Sequence, residues 1–181
     1  LSWEDLAVRI RACTACPELV AARTSVVVGQ CPPGARLLLV GEAPGAQEDA
    51  TGEPFVGRAG LLLDALLDEV GLVRAEVAVL NVLRCRPPGN RRPAPVEIGS
   101  CAGWLSRQRE VVAAQVTLAL GLTATTALLG RAGPLAAARG RVHEGGVVAT
   151  YHPSAALRFG PRGRPMAALR EDLATVAGML A

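Results

Sequence analysis

Short apolar runs alternate along this chain with longer segments in which apolar positions recur every three or four residues. The runs at 36–40, 77–82, 116–120 and 147–151 are rich in Leu and Val and lack the strict polar alternation of a half-exposed strand, which reads as strands buried on both faces. Helical spacing fits 3–12, 59–70, 95–113, 124–130 and 166–180. Ser2, ahead of Trp3-Glu4-Asp5, is placed to cap the first helix, with an acid in its first turn. Strand–helix alternation predicts an α/β fold, a three-layer α/β/α arrangement around a central four-stranded parallel sheet. No repeat or low-complexity linker divides the chain, so one domain over 1–181 is expected.

Composition sharpens this picture at a few points. Half of the residues are hydrophobic but only 3% are aromatic, so the core is aliphatic and each aromatic stands out. The net charge is +3 and all 19 basic residues are arginine. Arg84, Arg86, Arg91 and Arg92 share one loop and Arg158, Arg162 and Arg164 another, a distribution suited to a polyanionic partner. No apolar run has the length of a membrane span and no charged start leads into a signal-like stretch, so a cytoplasmic compartment is expected. Thiols stay reduced there, and cysteines point to metal or redox chemistry before disulfides.

The densest candidate chemistry lies between the first predicted strand and the next helix, at 41–60. This loop carries Glu42, Glu48, Asp49 and Phe55 among five glycines and two prolines, at the strand end where open α/β sheets bind ligands. Asn81 ends a strand whose other residues are apolar, and His152, one of only two histidines, follows another strand in a His-Pro-Ser turn. Cys13-x-x-Cys16 places two thiols within reach of one metal centre, with Cys85 and Cys101 following after 68 and 15 residues. A zinc ribbon would show a second C-x-x-C knuckle and a thioredoxin-like site needs only the first pair. Four dispersed cysteines favour an iron–sulfur cluster over zinc without settling it.

Gly41-Glu42-Ala43-Pro44-Gly45, Thr51-Gly52-x-Pro54-Phe55-Val56-Gly57-x-Ala59-Gly60, the run from Asn81 to Arg91 and His152-Pro153-Ser154 together form a pattern that resembles the uracil-DNA glycosylase superfamily, most of all its iron–sulfur-containing family 4. The resemblance runs from about Cys13 to Arg158. It implies a uracil-DNA glycosylase-like fold and a monomeric, monofunctional enzyme that flips uracil out of single- or double-stranded DNA and hydrolyses its glycosidic bond. No lysine is present for a Schiff-base route.

On that resemblance Phe55 stacks on the base, the Asn81 amide matches uracil O4 and N3–H, backbone at Ala43 touches the base, and Glu48 closes the wall near C5. His152 donates toward O2 and Glu42 orients water. The best-known branch of the superfamily carries its carboxylate one residue later, where this chain has Ala43; family 4 shares that departure. Ser154 and Arg158 hold phosphates, Leu157 or Ala156 fills the gap left by the flipped base, and Asn90 and Arg91 sit in a second DNA-contacting loop. A [4Fe-4S] cluster is implied at Cys13, Cys16, Cys85 and Cys101, with Cys31 a bystander. Two other outcomes use the same fold: a non-catalytic iron–sulfur DNA-binding module, and a DNA-crosslinking relative whose reactive histidine lies in a basic insertion. Residues 85–91 contain no histidine.

Overall fold

Leu37, Leu38, Leu39 and Val40 offer no polar face to solvent, and all four are buried in the computed structural model, which describes residues 1–130 and 133–181. They form β1 (Leu37–Gly41), flanked by β2 (Ala78–Asn81) and β3 (Val116–Leu120); β5 (Val147–Thr150) lies beyond β3. These four strands are parallel, with Gly41 beside Asn81, Leu39 beside Leu118 and Leu120 beside Thr150.

Alternate residues of β1 serve two cores. Leu37 and Leu39 pack with Leu63, Leu66 and Leu67 of α4 (Arg58–Glu69) and with Leu169 and Leu173 of α9 (Arg164–Leu180). Leu38 and Val40 pack with Leu105 and Val112 of α5 (Pro95–Val112) and Ala124 of α6 (Leu122–Leu129). The expected three layers are therefore present, each face of the sheet covered by helices as a parallel sheet requires. The first helix, α1 (Trp3–Arg11), has the anticipated cap: the Ser2 hydroxyl accepts from the Asp5 N–H at 3.1 Å and the Asp5 carboxylate accepts from the Ser2 N–H at 3.0 Å.

The sheet has five strands rather than the expected four. The additional strand, β4 (Val142–His143), pairs antiparallel with β5 at the sheet edge. It is only two residues long and partly solvent-exposed, so it leaves no periodic signal to read. Gly145 and Gly146, both with positive φ, make the turn between β4 and β5; a Cβ at 146 would meet the Gln115 carbonyl at 2.7 Å.

Four short helices also occupy segments that periodicity leaves as loops: α2 (Pro17–Ala22), α3 (Ala46–Thr51), α7 (Leu135–Ala138) and α8 (Pro153–Phe159). Proline opens α2 and α8 at a position where its missing N–H costs nothing. Asp49 in α3 is buried and accepts from the backbone N–H groups of Thr24 and Ser25 at 2.9 and 3.0 Å. That carboxylate pins the N-terminal segment to the loop after β1. Among the described residues no helix is long and apolar enough to cross a membrane.

Candidate active site

β1, β2 and β5 end on the same edge of the sheet, and the residues that follow them line a cavity of about 380 Å3. Glu42, Ala43, Glu48 and Phe55 come from the loop after β1, Asn81 from the end of β2, Asn90 and Arg91 from the loop beyond it, and His152 and Ser154 from the start of α8. The chain turns from β1 outward to β2 on one side and to β3 on the other, so the cavity mouth lies at the point where strand order reverses.

Phe55 is seated by what its neighbours lack. Its φ of 52° lies in the left-handed region that a residue with a Cβ rarely adopts. A Cβ at Gly60 would stand 1.9 Å from the Phe55 carbonyl oxygen, and one at Gly41 would stand 2.4 Å from the far edge of its ring and 2.5 Å from Asn81 Oδ1. The Glu48 carboxylate holds the same loop from the other side. Its Oε1 accepts from the Val56 and Gly57 N–H groups at 3.0 and 2.9 Å, and its Oε2 from the Gly45 N–H at 3.1 Å. Glu48 thus stands in the cavity wall, and both of its oxygens are engaged in shaping the loop.

Asn81 is 4% exposed, and its Oδ1 is buried with no hydrogen-bond partner among the described residues. An amide oxygen left unpaired in a protein interior costs about 1–3 kcal/mol unless something fills it. Glu42 lies beside the same cavity, its Oε2 accepting from the Thr123 hydroxyl at 2.5 Å.

His152 caps α8: its Nδ1 accepts from the Ser154 backbone N–H at 3.1 Å, and the Ser154 hydroxyl lies 2.8 Å away. An Nδ1 that accepts cannot carry the proton, so the ring is the Nε2–H tautomer and presents a donor. Desolvation by the cavity walls lowers its pKa, while the carboxylates of Glu42 and Glu48 oppose that shift. The ring lies 5.7 Å from that of Phe55, centroid to centroid, with the planes 30° apart.

The expected DNA-contacting residues divide into two groups. Ser154, Leu157 and Arg158 lie on the exposed side of α8; Leu157 is 37% exposed, and the Arg158 guanidinium sits 5.7 Å from the Phe159 ring centroid. In the other loop Asn90, also with left-handed backbone, accepts from Arg86 Nε at 2.7 Å. Arg91 is gripped by Glu97 at 2.7 and 3.0 Å and by Glu18 at 3.2 Å. Its charge is compensated before any phosphate arrives.

Cys13, Cys16, Cys85 and Cys101 line a second, small and apolar cavity, contributed by the end of α1, the cap of α2, the loop after β2 and α5. Cys31 lies elsewhere, against the core under α5. Among the described residues no three His, Cys, Asp or Glu side chains converge as ligands of a single metal ion. Burial raises the thiol pKa of Cys85 and of Cys101, and the neighbouring guanidinium groups of Arg23 and Arg84 respectively oppose this.

Arg84 is the unexpected member of this group. It is 2% exposed, and burial pushes its pKa down to about 10. Nε donates to Gln108 at 2.8 Å, Nη1 to the Asn81 carbonyl, and Nη2 has no partner among the described residues. A buried cation beside four thiols and no carboxylate fits a soft anionic group bound through sulfur. The sequence groups Arg84 with the loop arginines suited to a polyanionic partner; the fold instead buries it against Gln108 and the Asn81 carbonyl, where it cannot meet a phosphate. Nothing local marked Thr123.

If the α8 cap fixes the histidine tautomer, 15N spectra of histidine-labelled protein will show His152 with Nδ1 bare and Nε2 protonated at neutral pH. Its titration midpoint will fall below the ordinary imidazole value of about 6.5. A proton on Nδ1, or a midpoint above that value, would overturn the assignment.

Residues 28–174 match the family model described as Uracil DNA glycosylase superfamily. The chain is 45% identical over 160 residues to a type-4 uracil-DNA glycosylase of Thermotoga maritima, covering 86% of this chain and 83% of the relative. A type-4 uracil-DNA glycosylase of Archaeoglobus fulgidus is 38% identical over 167 residues, again 86% of this chain and 83% of the relative. A type-5 uracil-DNA glycosylase of Thermus thermophilus is 36% identical over 155 residues, 68% of this chain and 70% of the relative. The likeness therefore spans the sheet, the cavity and its motif loops together, and the chain belongs to the uracil DNA glycosylase superfamily.

Proposed function

We propose that this chain is a monofunctional DNA glycosylase that draws uracil out of DNA, hydrolyses its N-glycosidic bond and leaves an abasic site for base-excision repair. The observation that carries the reading is the Asn81 Oδ1, buried without a partner among the described residues, beside a cavity that Phe55 also lines. Uracil N3–H donates to that oxygen while the amide N–H donates to uracil O4. Cytosine presents the reverse pattern and leaves both groups unpaired, which discriminates more strongly than a missing contact does. Phe55 stacks on the ring, backbone at Ala43 touches its edge, and the Glu48 wall near C5 leaves no room for the methyl of thymine.

As the bond from C1′ to N1 breaks, its electron pair leaves with the base and negative charge grows on O2. His152 meets that charge with Nε2–H, a donor fixed before the reaction starts. Glu42, one oxygen held by Thr123, turns the other toward a water that adds to C1′. A neutral histidine suits this role, because its hydrogen bond strengthens as charge develops and binds the ground state weakly.

Cys13, Cys16, Cys85 and Cys101 hold a [4Fe-4S] cluster, supported by the four-thiol donor set, the buried Arg84 charge and the family 4 resemblance. Bound there, it supplies a rigid cross-link between the α1–α2 junction, the loop after β2 and α5; hydrolysis needs no electron from it. Natively purified protein should contain about four iron and four sulfide per chain, the composition of the four-cysteine cubane. Zinc in stoichiometric amount without sulfide would defeat this assignment.

The domain at 1–181 works as a monomer in the cytoplasm on single- or double-stranded DNA. Ser154 and Arg158 hold phosphates, Leu157 fills the vacated stack, and Asn90 and Arg91 shape the second contact loop.

Alkali-labile breaks at uracil in a defined oligonucleotide test the activity itself, and their absence would sink the reading. With activity in hand, His152→Ala should slow single-turnover cleavage on the order of 10²–10³-fold, while affinity for abasic product stays nearly unchanged. Parallel losses of product affinity and melting temperature would instead mark a structural histidine.

Salt dependence separates the two arginines. Arg158→Ala should flatten the log–log slope of duplex binding by about one unit, the contribution of one neutralised phosphate. Arg91→Ala should flatten it by clearly less, because Glu97 and Glu18 already balance that charge. Equal flattening would mean that Arg91 leaves its carboxylates for the DNA.

A further inference from the structure

The β3–α6 turn contributes no residue to the wall of the cavity, yet it touches both groups assigned to the chemistry. Gly121 begins it, with φ of +89°, and its N–H donates to the Thr150 carbonyl at 2.8 Å, two residues before His152. A Cβ at Gly121 would stand 3.1 Å from His152 Cβ, tighter than ordinary contact. The Thr125 hydroxyl donates back to the Gly121 carbonyl at 2.8 Å, closing the turn on itself. From the same turn Thr123 donates to Glu42 Oε2 at 2.5 Å, across 81 residues of chain.

The direction of that bond matters. Glu42 is anchored through its backbone toward β2, where its carbonyl accepts from the Leu83 N–H at 3.0 Å. Its side chain is held from the opposite side of β1, by a residue following β3. The carboxylate therefore spans the crevice at which strand order reverses. A hydroxyl-to-carboxylate bond of this length is charge-assisted, in the stronger class of protein hydrogen bonds. It uses one oxygen of a side chain that lines the cavity. A free glutamate side chain has three torsions to fix before it can aim at a water, and a misplacement of about 1 Å can cost on the order of 10²-fold in rate.

We infer that Thr123 is a positioning residue for bond cleavage. Its hydroxyl selects the Glu42 rotamer that aims at the attacking water, and the glycine two residues earlier sets the approach of His152. This rests on the uracil-excision reading above, and wild-type cleavage of uracil DNA reports separately on that reading.

The test is a double-mutant cycle on single-turnover cleavage, with DNA affinity and melting temperature followed on every variant. Thr123→Val keeps the shape and removes the donor; it should slow cleavage on the order of ten- to a hundred-fold and leave DNA affinity within about twofold. Thr123→Ser restores the donor and should recover most of the rate. In a Glu42→Ala background the valine substitution should have no further effect, since the group it positions is gone. Wild-type cleavage by Thr123→Val would overturn the inference. So would an equal loss in both backgrounds, or a fall in DNA affinity and melting temperature that tracks the loss of rate, either of which describes a merely structural threonine.

Discussion

Phe55 sits in a backbone conformation that disfavours it, and the cavity depends on that strain being held. A left-handed φ at a bulky residue costs of the order of 1–3 kcal/mol and persists only where the surroundings over-determine it. Three features do so here. Gly60 allows the Phe55 carbonyl to approach where any side chain would block it, Gly41 leaves a hollow for the ring edge, and Glu48 binds the two N–H groups that follow. Burial of the ring adds a further stabilisation of about 1.5–3 kcal/mol. Release of any one of them would let the loop relax, and the flat wall against which a base could lie would go with it.

Asn81 binds the two cavities together. Its side chain faces the hollow shared with Phe55, while its backbone carbonyl accepts from Arg84, whose guanidinium reaches the cysteine-lined space. Removing a charge from water costs several kcal/mol unless it is paired. Gln108, itself buried, satisfies Arg84 Nε and passes the connection on to the Val28 carbonyl at 2.9 Å. Arg84 Nη2, without a partner among the described residues, leaves the guanidinium incompletely satisfied beside the thiols, so the cysteine-lined space and the strand end that carries the amide share one buried charge. The family resemblance alone would not have joined these two places.

Four parallel strands and five long helices were legible because burial on both faces, or on one helical stripe, writes itself into local periodicity. The motif loop at 41–60 was legible through its density of glycine and carboxylate. What escaped is tertiary. β4 is a two-residue edge, and α3 and α8 are too short to complete an apolar stripe. Glu48 was expected to close the wall of the cavity and stands in that wall, but periodicity does not show that its two oxygens bind the backbone at 45, 56 and 57. Arg91 reads as a free cation in an arginine-rich loop; only the fold brings Glu18, from 73 residues away, to its side. A count of charges along the chain cannot see such pairing.

The division of labour among the strands follows from the topology. Glu42, Asn81 and His152 stand just past or at the ends of β1, β2 and β5, so their spacing is set by strand pairing rather than by flexible loops. β3 lies between β1 and β5 and offers the cavity no side chain. Its position makes it the one strand whose following turn can reach toward both neighbours. A φ of +89° there favours glycine, and a Cβ would also press on His152 at 3.1 Å. A hydroxyl there finds a carboxylate on the other side. The strand that lends the cavity no side chain is thereby the one best placed to hold Glu42 and His152 in register, and its precision is inherited from the interior of the sheet, where Leu118, Ala119 and Leu120 are fully enclosed.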